Sequence, residues 1–361
     1  MDRKQTVSLE MVLMGIKPID EEAVKAAKAH WDRVAKPLNS LGVLEEDICR
    51  IAGVKRREGF SLDKKCIVIM CADNGIVEEG VTQTGQEVTA AVAKNMAARR
   101  SCVCLMAAYA GAEVLPVDVG IAAHMSETGI LDRKIAWGTK DFLKESAMTR
   151  EDTVKALEVG IEAAGILYEK GCDLAGTGEM GIGNTTTSSA VISVLTGLDP
   201  ETVTGKGAGL DNAGLKRKIE VIKEGIRIHK PDPSDGIDVL SKVGGLDLAG
   251  LAGVCIGGAM YHVPVVLDGV ITAAAALAAQ TICPGVSDYL LASHVSAEPA
   301  GKLILERLGL SAAIDGHLCL GEGTGAMAFM PLLDMALEIY EKMSTFEDIH
   351  IEEYKELNEQ K

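Results

Sequence analysis

Residues 66–73 read Cys-Ile-Val-Ile-Met-Cys-Ala-Asp, seven apolar residues in succession closed by an acid. A strand with one wet face alternates polar and apolar positions. An unbroken apolar run of this length suits a strand buried on both faces, at the centre of a parallel sheet. Such a strand needs helices above and below it, and the flanking sequence supplies them. Residues 87–110 read as a helix and 112–119 as a strand. Residues 152–170 read as a helix, 172–175 as a short strand and 211–229 as another helix. Residues 263–268 read as a strand whose Pro264 is tolerable at its start. Alternation of this kind predicts an α/β fold with a mostly parallel sheet and right-handed crossovers.

The ends of the chain read differently. Residues 21–35 place Val24, Ala27, Trp31 and Val34 close to a 3.6-residue period, residues 36–42 break the pattern, and a second helix is expected over 43–54. From Leu332 the chain is helical and then strongly acidic. The expected division is a small helical domain from residues 1–60 plus 337–361 beside an α/β catalytic domain over 61–336.

Composition narrows the function. Thirty-six Lys and Arg against 52 Asp and Glu give a net charge of −16, which disfavours non-specific binding to nucleic acid or an anionic membrane. Aromatics are 3% and Gly numbers 39, so the layers must pack through small aliphatic residues. Nine cysteines contain no CxxC pair. They read as buried, reduced thiols rather than metal ligands. No apolar leader comes after the charged N-terminus. The uncharged stretches 248–267 and 269–287 are interrupted by Gly, Pro, His262 and Gln280, and read as buried strand and helix. A cytoplasmic enzyme is expected.

In parallel sheets ligands bind at the carboxyl ends of the strands, which directs attention to the residues just past each apolar run. Residues 176–184 read Gly-Thr-Gly-Glu-Met-Gly-Ile-Gly-Asn and contain a literal GxGxxG. Its glycines let the backbone approach an anion at a helix N-terminus. A phosphate or mononucleotide cradle, a ligand-free tight turn and a dinucleotide site are the alternatives; there is no GK[ST], so a Walker loop is excluded. Glu179 inside the motif either faces a hydroxyl, ribose or cationic centre, or is simply solvated. Glu322 lies among Gly321, Gly323 and Gly325. Partial burial there would raise its pKa and make it a general base; a helix-capping acid is the alternative. The glycine-rich turn 205–211 leads to Lys216, Arg217 and Lys218, which face either an anion or solvent. Ser296 reads as a helix cap, and His294 as a candidate base.

Taken together, residues 178–186 (Gly-Glu-Met-Gly-Ile-Gly-Asn-Thr-Thr) and 320–326 (Leu-Gly-Glu-Gly-Thr-Gly-Ala) resemble the nicotinate-nucleotide–dimethylbenzimidazole phosphoribosyltransferase family. The likeness runs over nearly the whole chain. It includes residues 36–42 (Lys-Pro-Leu-Asn-Ser-Leu-Gly), 72–75 (Ala-Asp-Asn-Gly), 86–89 (Gln-Glu-Val-Thr), 116–120 (Pro-Val-Asp-Val-Gly), 267–269 (Leu-Asp-Gly) and 296–299 (Ser-Ala-Glu-Pro). The resemblance implies a doubly wound α/β domain with a small helical domain from both chain ends. It implies transfer of phosphoribose from nicotinate mononucleotide to an aromatic base, without cofactor or metal, in a homodimer or a heterodimer with a paralogue. It also implies roles: Glu322 as general base, with Glu179 and Lys218 at the reaction centre. Gly178, Gly181, Gly183 and Asn184 would hold the nucleotide, with Ser296 reaching it from the partner subunit, and Gln86, Met180 and Leu320 would line the acceptor pocket.

The chain departs from the family pattern at Leu38 and Asn39, at Asn74 where histidine is usual, at Gln83-Thr-Gly85, and at Cys319 where arginine is common. The changes near the pocket leave the acceptor open among benzimidazoles, purines and phenols. Rival readings are a non-catalytic subunit of a heteromer and a nicotinamide-dependent oxidoreductase.

Overall fold

A computed structural model describes residues 8–125 and 129–354. The outer parts of the expected helical domain, residues 1–7 and 355–361, lie outside the described residues. Among the described residues seven strands form one sheet: β1 (Lys65–Ala72), β2 (Ala112–Gly120), β3 (Leu131–Asp132), β4 (Leu174–Met180), β5 (Val265–Leu267), β6 (Leu290–His294) and β7 (Ala312–Ile314). Their order is β3-β2-β1-β4-β5-β6-β7, and every pairing is parallel. The winding runs outward in one direction from β1 and in the other from β4, so the fold is doubly wound. The switch point lies between these two strands, where an open α/β sheet forms its ligand crevice.

β1 is buried at all eight positions, its seven-residue apolar run included. Cys66, Val68, Met70 and Ala72 point into one core layer, and Ile67, Ile69 and Cys71 into the other. The first layer is closed by the Arg150–Glu169 and Leu246–Tyr261 helices among others. Their backbones touch: a Cβ at Gly253 would overlap the Leu157 carbonyl oxygen, and one at Gly160 the Gly250 carbonyl oxygen. Small residues here let two backbones approach where side chains would hold them apart. Gly253→Ala is therefore expected to destabilise the chain by about 1–3 kcal/mol, the usual range for overpacking. Chemical denaturation measures it, and an unchanged midpoint would show that the pair can separate freely.

The second layer holds the Glu21–Arg33 and Val43–Lys55 helices, the Glu87–Ala97 and Cys102–Ala110 helices and the long Thr324–Lys342 helix. Elements from the two chain ends meet here. Trp31 packs edge-on against Tyr340 at 5.0 Å between ring centroids, and Val34 bridges to Thr345. Asp47 in the same layer is 5% exposed, and burial pushes its carboxyl up to about 8 against the pull of Arg50. The folded state therefore binds this proton more tightly than the unfolded chain does. Asp47's contribution to stability is full below the ordinary value of 3.8 and is lost as pH rises to about 8. Melting temperature should fall across that window, and Asp47→Asn should flatten the fall. Equal slopes in both proteins would remove Asp47 from the account.

Three differences from the sequence reading have local causes. The expected helix over 87–110 is two helices, broken at Arg99, whose φ is +61°, and restarted where the Ser101 side chain accepts the Cys104 N–H. β4 runs on through Gly176 and Gly178 to Met180, so the first two glycines of the motif are strand residues and the turn begins at Gly181. β6 comes directly after the turn 286–289 and is a strand that the sequence pattern does not announce. At the opposite rim, the chain enters β2, β4 and β7 through left-handed glycines at 111, 171 and 309, with nothing within 4 Å of a Cβ built there.

Among the described residues no helix is long and apolar enough to cross a membrane. All nine cysteines are free; seven are buried, but Cys102 and Cys319 are exposed, contrary to the expectation of buried thiols.

Candidate active site

The carboxyl ends of β4, β5 and β6 open into a cleft of about 980 Å³ that includes its solvent-filled mouth. Val88 and Val92 form one wall from the Glu87–Ala97 helix. Glu179 and Met180 end β4, and Gly181, Ile182, Asn184 and Thr185 continue the floor. Gly207 and Ala208 come from the glycine-rich turn, residues 268–272 lie just past β5, and His294, Ser296 and Glu298 come from the end of β6 and the segment after it. Cys319, Leu320, Gly321 and Glu322 close the remaining side.

Glu322 is held by an unusual local fold. Its own φ is +60°, between Gly321 at +84° and Gly323 at +89°. The turn is fastened by Asp268, whose carboxylate accepts the N–H groups of Gly323 at 3.0 Å, Gly325 at 2.6 Å and Ala326 at 3.2 Å. Asp268 thus caps the Thr324–Lys342 helix from a different strand end, and Glu322 is not the capping acid. Glu322 is partly buried, and its Oε2 has no hydrogen-bond partner within the described residues. Burial, with the Asp268 charge adding, raises its pKa above the carboxylate norm. A raised carboxylate with an uncommitted oxygen on a cleft wall is equipped to take a proton from a ligand.

Glu179 stands beside this turn rather than in a solvated loop. It is 6% exposed, accepts a hydrogen bond from the Asn184 side chain, and accepts the Glu322 N–H at 3.4 Å. Burial raises it to about 8, with Asp247 and Asp268 adding to the rise. A rise of this kind favours the protonated carboxyl, which lessens the charge Glu179 would set beside an anion.

Lys218 is 1% exposed, so it does not belong to a solvated basic face; Lys216 and Arg217 do, pairing with Glu220 and Glu79. The Lys218 ammonium donates to the Thr185 hydroxyl at 2.8 Å and to the Gly205 carbonyl at 3.3 Å. Burial lowers it to about 8, opposed by Glu298. It reaches the cleft through Thr185.

Other sequence-predicted residues fall on either side of the wall. Met180, Leu320, Gly181, Asn184 and Ser296 line the cleft. Gly178 lies beneath it, where a Cβ would stand 2.7 Å from the Glu322 carbonyl oxygen. Gly183 opens the Asn184–Thr196 helix at φ +96°. A Cβ on Gly181 would overlap the Ala72 carbonyl oxygen and lie 2.6 Å from Asp247, so this glycine serves packing behind the turn as well as access in front. In the turn itself, the Ile182 N–H already donates to Thr89 at 3.1 Å. Gln86 precedes its helix and donates to the Asn74 carbonyl at 3.2 Å; Val88 and Val92 are the residues of that segment in the wall. Ser296 does not cap the next helix, whose N-cap is Ala300; its hydroxyl accepts the Glu298 N–H at 3.3 Å. His294 contacts the Ser293 hydroxyl at 3.0 Å, and burial lowers its pKa against the opposing pull of Asp268.

Sequence reasoning marked Asp268 only as an acid just past an apolar run, without its capping role, and gave no role to Asp247 or Thr185. An acid ending the apolar run 263–268 was the available signal for the first. Among the described residues no three His, Cys, Asp or Glu side chains gather as a metal-ligand set.

A glycine turn and a raised carboxylate at the carboxyl ends of β4–β6 in a doubly wound sheet suit a nucleotide-handling transferase, and a phosphoribosyltransferase family model matches residues 16–351. The chain is similar to the nicotinate-nucleotide–dimethylbenzimidazole phosphoribosyltransferases of Clostridium acetobutylicum, 44% identical over 97% of this chain and 100% of that protein, and Ruminiclostridium cellulolyticum, 47% identical over the same shares. The crystal structure of CobT from Thermus thermophilus superposes with a TM-score of 0.87 at 37% identity, over 92% of this chain and 100% of that one. The chain belongs to the nicotinate-nucleotide–dimethylbenzimidazole phosphoribosyltransferase family.

Proposed function

We propose that the chain transfers the 5-phosphoribosyl group of nicotinate mononucleotide to a ring nitrogen of an aromatic base such as dimethylbenzimidazole, giving an α-ribotide phosphate and nicotinate for a cobamide lower ligand. The carrying observation is Glu322, an acceptor with an unpartnered buried oxygen on the wall of a cleft with apolar residues on one side and a glycine turn on another. The pyridinium of the nucleotide is neutralised as it leaves, so departure needs little acid assistance. The base attacks C1′ from the opposite face, the configuration inverts from β to α, and charge develops on the ribose as in glycoside chemistry. Glu322 takes the N–H proton that the acceptor ring must shed, from the nitrogen that does not attack, as the new C–N bond forms. Val88, Val92, Met180 and Leu320 supply apolar surface for a flat acceptor, and Gly181, Ile182 and Thr185 the nucleotide side.

Incubation of purified protein with nicotinate mononucleotide and a panel of benzimidazoles, purines and phenols, resolved by chromatography, tests the reading. Release of nicotinate with formation of an α-ribotide supports it; no product with any acceptor overturns it. The working assembly is proposed to be a homodimer, and a fully active monomer in sedimentation at assay concentration would contradict that.

A further inference from the structure

We propose that Asp247 is a positioning residue of the transfer reaction: it fixes the Asn184 side-chain amide and, through it, the Glu179 carboxyl in the cleft. The inference rests on the phosphoribosyl-transfer reading above.

Asp247 is the second residue of the Leu246–Tyr261 helix and is 0% exposed. An acid in the first turn gains about 0.3–1 kcal/mol from the helix dipole. Taking a carboxylate out of water costs several kcal/mol. A helix-start role therefore does not account for its burial, and its contacts point elsewhere. Oδ1 accepts the Leu248 N–H at 3.0 Å, while Oδ2 leaves its own helix to accept the Asn184 amide at 3.1 Å. The same amide nitrogen donates to Glu179. Two carboxyl acceptors on one NH₂ group determine both the plane of the amide and which of its ends faces Glu179. The other Glu179 oxygen accepts the Glu322 N–H. One continuous chain of contacts thus runs from a helix behind the sheet to the turn carrying the proposed base.

Space for Asp247 is made by glycine. A Cβ at Gly181 would lie 2.6 Å from Oδ2, and one at Gly245 would overlap Oδ1. Asp247 itself is absent from the cleft wall, so its action passes through Asn184.

Its charge acts on Glu179 as well. The titratable groups around Glu179 are Asp247 from its helix, Asp268 after β5, Glu322 in the turn 321–323 and Cys71 on β1. The thiol is pushed well up by burial and stays neutral. Burial raises Asp247 to about 6 and Glu179 to about 8, and the Asp247 charge adds to the rise at Glu179. Removing the Asp247 charge lowers the pKa of Glu179.

The test compares Asp247→Asn and Asp247→Ala in the full chain. The alanine variant is expected to lose roughly 10²-fold in kcat, the scale of an ångström-level misplacement. The asparagine variant, which keeps an acceptor oxygen for Asn184, should recover part of the loss. Infrared titration adds an activity-independent readout. The carboxylic C=O band of Glu179, assigned by its loss in Glu179→Gln, should titrate at lower pH in Asp247→Asn. Wild-type kcat in a folded variant, with or without a band shift, overturns the proposal, as does an unshifted band. If Asp247→Ala does not fold, Asp247→Asn decides. If the unaltered protein transfers no phosphoribose, the functional reading fails, and the infrared titration still decides whether Asp247 and Glu179 are coupled.

Discussion

Glu322→Gln is expected to bind nicotinate mononucleotide as the parent does and to turn over about two to four orders of magnitude more slowly, the usual span for a general base. Glutamine keeps the size of the side chain and cannot accept a proton at neutral pH. The left-handed turn is set by Gly321, Gly323 and the Asp268 cap rather than by the Glu322 carboxyl, so the backbone should stay in place. The deficit should also depend on the acceptor. An imidazole-type nitrogen attacks with its own lone pair, and the ring's other nitrogen loses its proton only after bonding begins. A phenol must lose its proton to become a good nucleophile and should suffer more. Calorimetric titration with the nucleotide, paired with kcat for each acceptor, checks both parts. Near-normal turnover with every acceptor would remove Glu322 from the chemistry.

Gly178→Ala should cripple the enzyme without altering any group that touches substrate. The added Cβ would lie 2.7 Å from the Glu322 carbonyl oxygen and 2.8 Å from both the Glu322 carbonyl carbon and the Gly323 nitrogen. These are backbone atoms of a turn tied down by Asp268, so the turn must shift and carry Glu322 with it. A loss of roughly 10²-fold in turnover is expected from such a displacement, with about 1–3 kcal/mol of stability lost to overpacking. Gly176→Ala is the control. Its Cβ would meet Met330 Cε at 3.1 Å, and Ile67 Cγ1 and Met327 Cε at 3.4 Å, ends of side chains that can give way. Equal activity in the two variants would mean that the turn is not braced against β4.

The central architecture was legible because its signals are local. The apolar run of β1, the end-helix periods and the alternation of strands and helices each arise from a few adjacent residues. The glycine segment announced a close approach, but not of what. Gly178 gives way to the Glu322 turn and Gly181 to Ala72 and Asp247, contacts made by residues far away in sequence. The same limit explains Lys218. One turn of helix carries three basic residues, and only packing against Thr185 and Gly205 decides that the third is buried. The capping role of Asp268, and Asp247 altogether, escaped because each acts across elements, one capping another segment's helix and the other holding another segment's amide. Ser296 looked like a cap because serine before an apolar run usually is one; here the helix starts only after Pro299.

The parallel winding also separates the molecule's two rims by tolerance to change. Every cleft residue hangs from the carboxyl ends of strands or from segments folded over them. The turns at Gly111, Gly171 and Gly309 stand at the other rim, at the mouths of β2, β4 and β7, with open space around them. Exposed turns of this kind are where chains accept inserted sequence. A reporter peptide or affinity handle spliced into one of these turns would sit the full length of a strand from the chemistry. The catalytic rim could then be varied and read out without the tag intruding on it.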